Sequence, residues 1–118
     1  MRLVTGLMLA ASLLGAASLS AQSAADHVAE GVQAREARDP ATALHHFQAA
    51  LALDSMNYQA NWEAALSLID LGKATPDEVK SPARDSLYAL AEVYARRAVS
   101  ANPGDAEGHY ALANAIGR

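Results

Sequence analysis

Four residues constrain this chain more than any others: Gly31, Ala43, Phe47 and Ala50, small or aromatic at spacings of twelve, four and three. Between the first two lies Arg38-Asp39-Pro40. Asp39 can accept a hydrogen bond from the unpaired N–H groups of a helix start, and Pro40 suits a first turn, where a missing N–H costs nothing. Apolar residues on either side recur at helical spacing. Residues 31–54 therefore read as a helical hairpin whose two rods approach over small side chains while one ring fills the gap.

The same reading carries through the chain and predicts helices over residues 24–38, 40–53, 58–71, 83–101 and 106–116. Val28 and Val32 form the first apolar stripe, and Ala43, Leu44, Phe47, Ala50 and Leu51 the second. The third is Trp62, Ala65, Leu66 and Ile69, and Gly72 reads as its C-terminal stop. The fourth is Leu87, Leu90, Ala91, Tyr94 and Ala98, with Arg96 and Arg97 near the end that favours positive charge. Tyr110, Leu112, Ala113 and Ile116 make the fifth. Residues 73–83 are polar and hold one expected turn at 76–79; Asp77 and Glu78 read as solvated loop and Asp85 as a helix cap. An alanine-rich chain with few aromatic residues and no cysteine favours close-packed helices and excludes both a disulfide framework and a thiolate nucleophile.

A period emerges. Asp54-Ser55-Met56-Asn57 and Asn102-Pro103-Gly104-Asp105 are the same punctuation, and Ala65, Ala91, Ala95 and Ala98 echo Gly31, Ala43, Phe47 and Ala50. Unit one, residues 24–57, is 34 residues long; unit two, residues 58–105, is 48, the fourteen extra residues falling between its helices, where residues 73–83 read as an insertion. Residues 106–118 begin a third unit. This pattern resembles the tetratricopeptide repeat, with small packing sites at Gly31, Ala43, Ala50, Ala65, Ala91, Ala98 and Ala113, the aromatic at Phe47 and the terminal proline at Pro103. Ser55 stands where unit one should have that proline, Ala95 where unit two should have the aromatic, and Trp62 one place after the usual tryptophan. Asn57-Tyr58-Gln59-Ala60-Asn61-Trp62 and the enlarged second unit look like the divergent repeats of bacterial relatives of the regulator-of-microtubule-dynamics proteins. The resemblance implies an all-α fold of antiparallel helix-turn-helix repeats, stacked as a short right-handed α-solenoid of two units plus one extra helix. The final stripe would normally meet a following helix, so the sequence also reads as the N-terminal part of a longer array, or as one that self-associates through its last helix.

The first 21 residues have a different character. Met1-Arg2 is followed by an apolar run over residues 3–14 and a small-residue stretch to Ala21. That is the order of a secretory signal peptide with cleavage after Ala21. Its Ser-, Ala- and Gly-rich second half argues against a permanent anchor, so a membrane partner is expected only if the leader stays uncleaved. The expected location is outside the cytoplasm, in a bacterial periplasm or secreted.

The leader contains only one charge, Arg2, which leaves 8 basic and 13 acidic residues beyond it. A net negative chain with scattered charges lacks the basic footprint that nucleic acid requires. The expected partner is a protein or peptide. In such repeats the first helix of each unit lines the concave side, and the resemblance places Val28, Val32, Arg35 and Glu36 there from unit one, Gln59, Trp62, Leu66 and Asp70 from unit two, and Glu107, Tyr110 and Asn114 from the last helix. The Lys/Asn clamp with which some family members hold a C-terminal carboxylate is absent, because Val28, Val32, Trp62 and Leu66 occupy the relevant face. Catalysis, a cofactor and a metal are not expected. His45 and His46 diverge by about 100° on a helix, and a metal shared by His27 and His109 would need two distant helix starts to meet. No phosphate loop or nucleophile motif is present.

Overall fold

The computed structural model describes residues 22–76 and 80–117. Among them are five helices and no strand: α1 (Ala24–Glu36), α2 (Pro40–Leu53), α3 (Tyr58–Lys73), α4 (Pro82–Ala101) and α5 (Ala106–Ile116). The chain is all-α, as expected. The expected leader over residues 1–21 and residues 77–79 of the expected turn lie outside the described residues. Among the described residues, no helix is long and apolar enough to cross a membrane.

Four of the five helix starts are capped by their own flanking residue. Ser23 and Asp26 form a capping box on α1: the Asp26 N–H donates to Ser23 Oγ at 3.1 Å and the Ser23 N–H donates back to the Asp26 carboxylate at 3.0 Å. These bonds, that from the Ser23 backbone foremost, hold the Asp26 carboxyl below the usual carboxylate range. Asp39 accepts from the Thr42 N–H at 3.1 Å, Asn57 from Ala60 at 2.9 Å and Ser81 from Arg84 at 3.1 Å. Ser81, and not Asp85, caps α4; Asp85 lies in the first turn, where the helix dipole favours its charge. The exception is α5. Its N-cap Asp105 makes no capping bond, and the Tyr58 hydroxyl, reaching over from α3, accepts the Gly108 N–H at 2.9 Å.

Three helix ends differ from expectation; the smallest change is at α4, which starts at Pro82, so Lys73 and residues 82–83 of the expected insertion are helical. α1 stops at Glu36, because Arg38 adopts a left-handed backbone, φ 59°. The Asp39 N–H then reaches the Ala34 carbonyl and the Arg38 N–H the Arg35 carbonyl, the paired bonds that close a helix and reverse the chain. Gly72 does not end α3, which runs on to Lys73. Gly72 is buried inside the helix because the Tyr88 ring lies on its backbone: a methyl there would sit 2.5 Å from Tyr88 Cε1.

Successive helices pack against one another, and α3 touches all four others. It is accordingly buried nearly all round, including Asn61, Glu63 and Ser67. One core cluster joins α1, α2 and the start of α3 through Val28, Ala43, Phe47, Ala50, Leu51, Ala60 and Ala64. The other joins α3, α4 and α5 through Ala65, Leu68, Ile69, Ala91, Ala95, Ala111 and Ala115. Leu44 and Tyr94 lean on both. Phe47 is fully enclosed, and a methyl on Gly31 would sit 2.7 Å from its Cδ1, so the ring occupies the space a side chain would need.

Six of the seven expected packing sites are buried. Ala113 is exposed. The inner face of α5 is Gly108, Ala111 and Ala115, and Ala113 lies about 200° round the helix from Ala111. Ile116, also expected on the apolar side, is 53% exposed, and Tyr110, expected in the groove, is 59% exposed, so the face that packs is made of the smallest residues.

Candidate functional site

α1 and α3 lie side by side at a slight contact, and a cleft of about 700 Å³ opens between the first and the start of the second. Ala25, Val28, Ala29 and Val32 give its apolar floor; Gln33, Glu36, Asn57 and Gln59 give a polar rim, and the Tyr58 ring forms part of the wall. Val32 and Glu36 carry the cleft on to Arg35 and Glu63, and Arg35 carries it to Arg38, Pro40 and Asp70. Three clefts that share Val32, Arg35 and Glu36 thus follow one another as a trough along the α1–α3 face.

At its middle the Arg35 Nη1 donates to Glu63 Oε2 at 2.7 Å, and Nη2 stands 3.9 Å from Asp70 Oδ2. The Glu63 side chain is 7% exposed, that of Arg35 30%. A carboxylate so buried needs its partner: removing one side of such a pair is far more costly than the pair is stabilising. Arg35 therefore holds α1 to α3 before it can do anything else. Glu63 is not among the expected site residues, although it lies two turns before Asp70 and on the side of α3 that meets α1.

The expected site residues divide into two groups. Val28, Arg35, Gln59 and Asp70 line the trough, with Val28 buried at its floor. Trp62 and Leu66 are half-buried and packed on the second core cluster, so Trp62 spends much of its ring on internal contacts. Glu107 and Tyr110 are exposed on α5, and Asn114 donates its amide to the Tyr110 carbonyl at 2.8 Å. Asn61, the neighbour of Trp62, is the fully buried one; its amide donates to the Ser55 and Asn57 carbonyls at 3.0 and 2.9 Å and fastens the α2–α3 turn. A buried amide tied to a turn is a structural part and not a contact surface.

A second constellation lies across the α1–α2 hairpin. His46 Nδ1 is 3.0 Å and His27 Nδ1 4.0 Å from the same oxygen of Glu30. The two histidines were considered only in other pairings, His45 with His46 and His27 with His109. The signal that could have joined them is the hairpin register: if Gly31 faces Phe47, Glu30 and His46 must meet.

Comparison of the chain with family models, with curated proteins and with solved structures gives no match.

Proposed function

We propose that this chain is an exported, non-catalytic scaffold of tetratricopeptide type that binds an extended peptide, or a helix of a partner protein, along the α1–α3 trough. The observation that carries the reading is the trough itself: an apolar floor of Val28, Ala29 and Val32 beside exposed hydrogen-bonding side chains such as Gln33 and Gln59. A peptide groove combines these, apolar contact for affinity and polar edges for register. The helix order supports the solenoid reading, since α1 meets α3 and α3 meets α5 as first helices of successive units do. Glu36 and Asp70 stand beside Arg35 and Arg38 along the trough, so a peptide of mixed charge is the expected ligand class.

The test is selection of peptides from a random library against the full chain, followed by measured affinities. Val32→Asp, which places a charge on the floor, should weaken the selected peptides at least tenfold, while Tyr110→Ala, on α5, should leave them unchanged. Selected peptides indifferent to Val32→Asp would place the binding surface elsewhere.

The exposure of Tyr110 and Ile116 on α5 favours a second reading, a structural part of a larger assembly joined through that helix. A concentration-dependent mass that disappears with Tyr110→Ser and Ile116→Ser is its expected signature.

A further inference from the structure

Glu30 precedes Gly31 and His46 precedes Phe47, so the contact that seats the Phe47 ring on Gly31 also brings these two side chains together. His27 is three residues before Glu30, hence on the same side of α1. One donor atom from each of the three lies within 4.8 Å of the others, and all three residues are half-buried. The His27 and His46 rings stack with centroids 6.4 Å apart and planes at 29°. His27 Nδ1 is shielded from solvent and makes no hydrogen bond to the described residues. The other Glu30 oxygen is occupied, accepting from the Gln22 amide.

We propose that His27, Glu30 and His46 form a binding site for a divalent transition-metal ion, with zinc the best match, that clasps α1 to α2. Two imidazole nitrogens and one carboxylate oxygen are a borderline donor set, suited to zinc and its neighbours and unsuited to calcium or magnesium, which take oxygen alone. Tetrahedral bonds of about 2.0–2.1 Å set ligand atoms roughly 3.4 Å apart. The separations of 3.0 and 4.0 Å from Glu30 Oε2 fall on either side of that value, so small side-chain rotations complete the geometry. Gln22 fixes the outer oxygen of Glu30 and leaves the inner one for the ion, the orienting role that outer partners of metal ligands play. His45, whose ring is 5.6 Å from that of His46, is exposed and stands outside the three-residue set. The site is independent of the peptide trough, since no residue of the trio lines it.

Zinc uptake by the untagged full chain, measured by dialysis and elemental analysis, tests the site. One zinc per chain is expected, and saturation at a hundredfold excess over the dissociation constant should raise Tm by about 5 °C or more. Cobalt in place of zinc should give the intense visible bands of a four-coordinate ion. His27→Ala and His46→Ala should each weaken zinc at least about tenfold, the cost of losing even an outer partner, and Glu30→Gln, which keeps the side chain's shape, should do the same. His45→Ala and His109→Ala should leave uptake unchanged. Circular dichroism in metal-free buffer shows whether each variant is folded, and Glu30→Gln decides the matter should a histidine variant fail to fold. Absence of stoichiometric zinc in the wild-type chain overturns the proposal. So does uptake that survives the three substitutions, or that is lost with His45→Ala or His109→Ala.

Discussion

The two hairpins solve one packing problem in different places. In the α1–α2 hairpin a glycine meets a ring, Gly31 against Phe47, and the ring is fully enclosed. In the α3–α4 hairpin a glycine again meets a ring, Gly72 against Tyr88, but the ring is half-buried. The places that match Gly31 and Phe47 by spacing are held by Ala65 and Ala95, both fully buried. Both alanines belong to the core cluster that joins α3, α4 and α5, and no ring is placed between them by the spacing. The aromatic wedge has moved instead to the loop end of the longer pair, where α4 extends beyond the equivalent of α2. Each pair thus reaches the close packing that interiors demand with different residues at different places.

The comparison makes the two glycines unequal. Gly31→Ala forces a methyl onto an immobile ring and should cost about 3 kcal/mol, the upper range for overpacking. Gly72→Ala meets a ring with one side in solvent, and the better helix propensity of alanine, about 1 kcal/mol, offsets part of the clash. Its cost should be about 1 kcal/mol or less. Urea melts of the two variants measure the difference, and equal losses would dissolve the distinction between enclosed and half-buried wedges.

A smaller effect separates the hairpins at their helix starts. α2 relies on its own Asp39, whereas α5 relies on Tyr58 from another helix. Tyr58→Phe removes that acceptor and should cost about 1 kcal/mol at neutral pH, the usual value of an N-cap. Burial first, then a hydrogen bond to Asp105, pushes the Tyr58 hydroxyl above its ordinary 10.0. A pKa higher in the folded than in the unfolded chain contributes stability that is complete below about pH 10 and lost as pH rises through the folded value. The gap between wild-type and Tyr58→Phe should therefore close on the alkaline side. A gap constant up to the alkaline limit of folding would remove the hydroxyl from the account.

The smallest effect concerns the first turn. Arg38 sits in a left-handed conformation that glycine takes at no steric cost. Arg38→Gly should stabilise the chain by about 0.5–1 kcal/mol, less than the full penalty because glycine also loosens the unfolded state. A thermal melt that falls with this substitution would mean that the Arg38 side chain does more than endure the turn.

Much of this architecture was legible in the sequence because cap and apolar period agree: Asp39 and Pro40 mark a start that the chain uses. The errors share one cause, which is that large side chains draw the eye while small ones do the packing. The expected packing side of α5 is Leu112, Ala113 and Ile116, yet the helix packs through Gly108, Ala111 and Ala115. Gly72 follows an apolar run and looks like a stop, and the ring that explains it lies on another helix. Of the candidate groove, the α1 and α3 positions were accessible from the repeat pattern, whereas the burial of Glu63 and its capture of Arg35 depend on how closely α1 and α3 approach. The His27–Glu30–His46 trio needed the register across a turn, which no single helix carries.

Tyr58 belongs at once to the wall of the trough and to the start of α5. Its ring also rests near Gly108, where a methyl would come within 3.3 Å of Cε1. The ring cannot swing without its hydroxyl leaving the Gly108 amide. One phenol therefore serves as both wall and fastening, and a substitution at Tyr58 alters the two together.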